Sequence, residues 1–263
     1  MLKGSFFQFA YAQKQVTGKA ERYIIKENSP ANQELRGIKT MKHKLLIQLC
    51  TKLLMGMIII SLLLFLPAGS IYYWNAWIFM GVLFIPMFAA GTILLWKSPD
   101  LLAKRLNTKE KEAEQKQVIV FSLFMFVGGF IIAAFDFRYG WSKLPDWIIL
   151  TAVVIFLISY GLYAEVMREN AYLSRTVEVQ ESQKVIDTGL YGIVRHPMYF
   201  ATVILFLSIP LILGSVYAFI IFLIYPLLII KRIKNEEAVL REGLDGYVDY
   251  TQKVRYRLIP YIW

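Results

Sequence analysis

The chain has 263 residues, 57% of them hydrophobic, with one cysteine, two histidines and a formal net charge of +10; its mean hydropathy is +0.50. Cys50 alone excludes a disulfide framework within the chain and a cysteine-rich metal site, and His43 and His196 are too few for a multi-histidine metal centre. No G-x-G-x-x-G or G-x-x-x-x-G-K-[ST] run occurs, so neither common nucleotide-binding loop is present.

Residues 1–40 are polar and mixed in charge, and their first residues lack the apolar core of a signal peptide. Met41-Lys-His-Lys, directly before the first apolar run, reads as a natural start, so 1–40 is expected to be a dispensable or disordered extension. Six apolar segments follow, roughly 45–66, 76–96, 118–135, 147–165, 198–213 and 216–231. A helix needs about 20 apolar residues to cross a bilayer, and in lipid a helix satisfies its backbone polar groups within its own segment. The expected fold is therefore all-α, a polytopic membrane helix bundle. The first four segments form a membrane region over 41–166. Residues 167–263 supply a loop, a closing pair of helices and a C-terminal tail. The last two segments are separated only by Gly214 and Ser215, which predicts a tight helical hairpin rather than one long bent helix. The pair Gly128-Gly129 is expected to permit close helix packing.

The charge follows the connections. Nine lysines and arginines precede the first span and none lies in 67–75; six lie in 97–117 and two in 136–146; four lie in 166–197, none at 214–215 and seven in the tail. Rich and poor connections alternate, so the positive-inside rule puts both termini and the basic loops in the cytoplasm. The positive charge is thus a matter of topology, and no nucleic-acid partner is inferred from it. Asp136, Arg138 and Asp146 fall on the outer side, away from any chemistry.

Two cytoplasmic stretches hold most of the unusual side chains. In Arg168 to Tyr199, "TVEVQ" (176–180) alternates like a short extended segment, and Thr188-Gly189 signals a turn. Pro197 suits the first turn of a helix, which puts His196 at a helix N-terminus, where an electron-rich partner is favoured. Arg195 and His196 would equally serve to anchor that helix at the headgroups. In Lys231 to Pro260, Arg232 and Glu236 share one helical face, as do Glu237 and Arg241. By themselves these read as surface ion pairs, worth a few tenths of a kcal/mol each; Tyr247 and Tyr250 equally suit an interfacial aromatic belt. Glu165, Arg168, Glu169 and Asn170 close the fourth span and read first as side chains reaching for the interface, with lining of the same cavity as the alternative. The closing hairpin nevertheless joins the two stretches, so their polar residues should converge at one mouth open to water and to lipid.

Taken with Gly189-x-Tyr191, Arg195-His196-Pro197-x-Tyr199, Arg232-x-x-x-Glu236-Glu237-x-x-Leu240 and Tyr247-x-x-Tyr250 before Pro260, the sequence resembles the isoprenylcysteine carboxyl methyltransferase family, part of a group of membrane methyltransferases that includes phospholipid N-methyltransferases. The resemblance covers about residues 176–260. It implies a cytoplasmic pocket for S-adenosyl-L-methionine without a Rossmann fold, built from the loop before the hairpin and the helix after it. Carried over, Gln183, Lys184, Val185 and Ile186, then Tyr191, then His196, Pro197, Met198 and Tyr199 would cradle the cofactor, with Glu236 at its polar end. Arg232 would be catalytic, reaching the acceptor.

The implied function is an integral-membrane S-adenosylmethionine-dependent methyltransferase, O-methylating by preference, acting in the cytoplasmic membrane on an amphiphilic, lipid-like or carboxylate-bearing acceptor. Two alternatives stand beside it. Sterol reductases, which use NADPH, have a similar arginine-histidine-tyrosine segment, although theirs reads R-H-x-N-Y. A small transporter or scaffold would need ionisable residues deep in its spans, and Lys52 is the one clear case.

Overall fold

A computed structural model describes residues 30–106, 113–170, 172–173, 179–180 and 182–263. Residues 1–29 of the expected extension, and 176–178 of the expected extended segment, lie outside the described residues. The chain divides into two compact units, residues 1–47 and 48–263. In the first, the described residues are helical; the packing and the site described below are those of the second.

The helices are α1 (Pro30–Ala68), α2 (Trp74–Lys97), α3 (Pro99–Leu106), α4 (Ala113–Tyr139), α5 (Asp146–Glu169), α6 (Pro197–Ile212), α7 (Val216–Phe222), α8 (Ile224–Gly243) and α9 (Tyr247–Lys253), with a 3₁₀ turn at Gly189–Gly192. Among the described residues, five helical stretches are long and apolar enough to cross a membrane: Gly37–Ala68, Trp74–Lys97, Lys116–Tyr139, Asp146–Glu169 and Val216–Gly243. The fold is the polytopic all-α bundle of an integral membrane protein. Of the six apolar segments, the fifth is α6, a shorter helix of 16 residues. The sixth is α7 continued by α8, broken at Leu223. Pro226 explains the break: it has no N–H to give the carbonyl of Phe222, four residues earlier.

Apolar side chains fill the bundle where α2, α4, α5 and the hairpin meet. Phe79, Phe156, Phe222, Leu64, Ile212 and Ile233 are fully buried. A Cβ at Gly129 would lie 2.4 Å from the Phe222 ring, so α4 and α7 approach as closely as they do because residue 129 has no side chain. Gly128 faces open space and contributes nothing of the kind.

The hairpin turn is fastened at the end of the bundle formed by the short connections 69–73, 140–145 and 213–215. Ser215 caps α7, its Oγ accepting from the Ala218 amide at 3.0 Å and donating to the buried Asp136 carboxylate. Asp136 also accepts from the amide of Ser142 at 2.6 Å and from its hydroxyl at 2.7 Å, and Ser142 Oγ accepts from the Val216 amide at 3.1 Å. Tyr73 Oη donates to the Leu213 carbonyl at 2.7 Å. Asp136 therefore locks two connections together. The opposite end of the bundle carries the long basic connections and the candidate site.

Candidate functional site

The site is built from the segment 182–196, the first turn of α6, α8, and the chain from 244 to the terminus. Gly189 takes a left-handed φ of +52°, and a Cβ there would sit 1.4 Å from Glu169 Oε1. That close approach lets Glu169 Oε2 accept from the Leu190 amide at 3.0 Å. Asn170 Nδ2 donates to Tyr191 Oη at 3.0 Å, and Tyr250 Oη donates to the Tyr191 carbonyl at 2.7 Å. The end of α5 and helix α9 thus hold the 3₁₀ turn from both sides. Glu165 and Arg168 do pair on the surface, at 2.6 Å with exposed side chains, but Glu169 and Asn170 turn inward to this loop rather than outward to the interface.

The C-terminal segment fixes the next two residues. The amides of Arg195 and His196 donate to the carbonyls of Tyr256 and Arg257, each at 2.9 Å. Arg195 then buries its guanidinium: Nε donates to Glu237 Oε1 at 2.7 Å, and one terminal nitrogen donates to the Val254 and Arg255 carbonyls at 2.8 and 2.9 Å. Glu237 is only 3% exposed. It also receives Arg257 Nε at 2.9 Å and lies 3.4 Å from His196 Nε2. Two readings from local spacing are corrected here. Glu237 is no surface partner of Arg241, whose nearest nitrogen is 4.0 Å away; its strong partners are 42 and 20 residues distant in sequence. Arg195 is no headgroup anchor, because its charge is neutralised inside the fold.

Pro197 opens α6 with His196 as its N-terminal cap residue, as expected. One turn of α6 later, Tyr199 Oη accepts from Arg232 Nε at 2.9 Å and donates to Glu236 Oε2. The phenol therefore joins the α6 end of the hairpin to α8 and links Arg232 to Glu236. Burial raises the Tyr191 phenol to about 12. Burial drives Tyr247 and Tyr250 higher still, so all three remain neutral donors in any ordinary medium. On the exposed flank, Lys253 donates to Asp187 Oδ2 at 2.6 Å and holds that carboxyl below its usual range.

These elements line one open cleft. Gln183, Lys184, Val185 and Ile186 form one wall; Tyr191, His196, Met198 and Tyr199 form a second; Arg232 and Glu236 form a third. Pro197 does not reach the cleft and is buried in the first turn of α6. The cleft also takes in Asn170, Tyr172 and Leu173 after α5, Arg195, the apolar Val239, Leu240 and Leu244, and Tyr247 and Tyr250. None of these stood among the expected cofactor residues, and Tyr172, Leu173, Val239 and Leu244 had no reading at all. For the two tyrosines the signal was their i, i+3 spacing, which suits an inward face of α9 as well as an interfacial belt; they are buried. Among the described residues, buried Tyr247 Oη has no hydrogen-bond partner.

Residues 147–245 match the family model described as phospholipid methyltransferase, which puts that segment in the membrane methyltransferase group that also takes in isoprenylcysteine carboxyl methyltransferases. The chain is also similar to a Delta(14)-sterol reductase of Methylotuvimicrobium alcaliphilum, 23% identical over 46% of this chain and 32% of that protein. A Delta(14)-sterol reductase of Mus musculus is 28% identical over 34% of this chain and 22% of that protein. The alignments thus span a third or less of the length of these two relatives.

Proposed function

We propose that the protein is an S-adenosyl-L-methionine-dependent membrane methyltransferase that methylates an oxygen of an amphiphilic, lipid-like or carboxylate-bearing acceptor, with its cleft on the cytoplasmic side of the inner membrane. The observation that carries the reading is that His196, Tyr199, Arg232 and Glu236 line one cleft at the end of a membrane bundle, in a segment matching a membrane methyltransferase family.

The residues present fit the cofactor. Glu236 offers a carboxylate to an ammonium or to hydroxyls, Val239, Leu240 and Leu244 give an apolar wall, and the partnerless Tyr247 hydroxyl is a donor already stripped of water. When bound, S-adenosylmethionine supplies an electrophilic methyl on a sulfonium. Gln183 to Ile186, Tyr191, His196, Met198 and Tyr199 would hold it, with Pro197 behind them setting the first turn of α6. The chain's task is then alignment and exclusion of water, since correct placement alone can contribute several kcal/mol. Arg232, steadied by Tyr199, would present a planar fork to an anionic acceptor. A carboxylate acceptor needs no general base, which leaves His196 free for binding, beside the Arg195–Glu237 pair.

A second reading comes from the reductase relatives: an NADPH-dependent reduction of a lipid in the same cleft. The residues Pro197 and Met198 before Tyr199 speak against it, since sterol reductases show R-H-x-N-Y. Two assays separate the readings. Calorimetry should give saturable binding of S-adenosylhomocysteine, and radiolabelled S-adenosylmethionine should transfer its methyl to total membrane lipid. Absence of both, with NADPH oxidation on lipid extracts, would replace the first reading by the second.

A further inference from the structure

Five tyrosines line the cleft: Tyr172, Tyr191, Tyr199, Tyr247 and Tyr250. Four of their hydroxyls are engaged within the fold. Tyr172 Oη donates to the Ser182 carbonyl at 3.1 Å, and Tyr191 Oη accepts from Asn170 Nδ2 at 3.0 Å. Tyr250 Oη donates to the Tyr191 carbonyl at 2.7 Å, and Tyr199 Oη stands between Arg232 and Glu236. The fifth, Tyr247, is 4% exposed, and among the described residues its hydroxyl has no hydrogen-bond partner.

That hydroxyl is held in place by the packing of its ring. Tyr247 forms a buried cluster with Leu244, Tyr250 and Val254, against which Val185 and Leu240 pack, and its ring lies 5.8 Å from that of Tyr250. Swinging out to water would break this cluster. Burial raises the phenol far above its usual range, and the charges of Glu237 and Glu236 add to the effect, so the group remains a neutral O–H. A buried hydroxyl without a partner is destabilising, and the cleft is where a partner can enter. The surroundings define that partner. The two carboxylates disfavour an anionic group beside the phenol. Val239, Leu240 and Leu244 give the corner an apolar wall, against which a group rich in hydroxyls would lose its water without compensation. A flat heterocycle meets both conditions, its faces against the wall and a ring nitrogen at its edge accepting the proton.

We propose that Tyr247, Val239, Leu240 and Leu244 form a base subsite, in which Tyr247 Oη donates a hydrogen bond to a ring nitrogen of a purine. The methyltransferase reading, on which this rests for its occupant, makes the purine the adenine of S-adenosylmethionine. Glu236, one turn before Leu240 on α8, is then left to the ammonium or the hydroxyls of the same cofactor. Tyr247 joins the binding residues although the resemblance in sequence did not include it.

The test uses the full chain in a neutral maltoside detergent. S-adenosylhomocysteine and its 1-deaza, 3-deaza and 7-deaza adenine derivatives are titrated by calorimetry, and melting is followed without ligand. Tyr247→Phe should bind S-adenosylhomocysteine about tenfold more weakly than the wild type. It should melt at or slightly above the wild-type temperature, because it removes an unpartnered polar group from an apolar cluster. Tyr250→Phe, which gives up a bond to the Tyr191 carbonyl, should melt lower. One deaza derivative should lose about tenfold on the wild type and nothing further on Tyr247→Phe, which identifies the accepting nitrogen. Unchanged S-adenosylhomocysteine affinity in Tyr247→Phe overturns the subsite and leaves the methyltransferase reading intact. So do deaza losses as large on Tyr247→Phe as on the wild type, or a Tyr247→Phe melting temperature several degrees lower. NADPH carries the same base and separates the two in the other direction. A wild type that binds NADPH but not S-adenosylhomocysteine, with the same loss in Tyr247→Phe, keeps the subsite and removes the methyltransferase reading. A wild type that binds neither removes both.

Discussion

Replacing Arg195 by Met tests the ion network at the base of the cleft. The substitution keeps much of the side chain's bulk and removes three hydrogen bonds at once, from Nε to Glu237 and from the terminal nitrogen to the Val254 and Arg255 carbonyls. The side chains of Arg195 and Glu237 are 4% and 5% exposed, so the carboxylate cannot recover its hydration. Removing one partner of a buried pair costs about 3–5 kcal/mol, and Arg257, still 2.9 Å from Glu237, places the expected loss at the lower end. For a chain of this size each kcal/mol corresponds to about 2–4 °C, so the melting temperature in detergent should fall by roughly 6–12 °C. Arg168→Ala is the control. Its pair with Glu165 is equally short, but the two side chains are 72% and 41% exposed, and such pairs contribute at most about 1 kcal/mol. The double variant Arg195→Met with Glu237→Leu should recover most of the loss, since an apolar pair of similar volume removes the stranded charge. If Arg195→Met melts within a couple of degrees of Arg168→Ala, the network is not what holds the cleft together.

Four further outcomes are expected. Arg232→Ala should abolish methyl transfer while leaving S-adenosylhomocysteine affinity within about twofold, and Glu236→Ala should weaken that affinity; unchanged turnover in the first would remove Arg232 from the mechanism. Tyr199→Phe removes the phenol that links both residues, and at about 1.5–3 kcal/mol for a hydrogen bond to a charged group it should weaken cofactor binding about tenfold, read by calorimetry. Gly189→Ala puts a Cβ where Glu169 Oε1 lies and forces a left-handed backbone on alanine; protease nicking between 182 and 196 should accelerate, and Glu169→Ala in the same chain should relieve part of the effect. Because Tyr191 titrates near 12 when folded and near 10 when unfolded, its contribution to stability is complete below pH 10 and is lost as pH rises through 12. Phenolate absorbance from the buried tyrosines should accordingly appear together with unfolding, and an earlier, separate rise would contradict their burial.

The hairpin was legible because Gly214 and Ser215 leave no room for anything but a tight turn, and the end-by-end placement of the loops was legible from their lysines and arginines. The convergence of His196 with Glu236 was legible for the same reason: a hairpin returns the chain to where it began. The pairing of Glu237 was hidden. Arg241 stands at the right helical spacing, and nothing local reveals that Arg195 and Arg257 reach the carboxylate from other elements. For Glu169 and Asn170 two readings stood side by side, because the end of a span looks alike whether its polar groups face solvent or a loop that folds back on it.

Ultraviolet cross-linking of radiolabelled S-adenosylmethionine to the purified protein, followed by peptide mapping, probes most directly whether the loop before the hairpin and the helix after it form one cofactor chamber. The label should appear on peptides from both 183–199 and 232–247 and be displaced by excess S-adenosylhomocysteine. Label confined to the end of the bundle around Asp136 and Ser215, or no displaceable label at all, would contradict it.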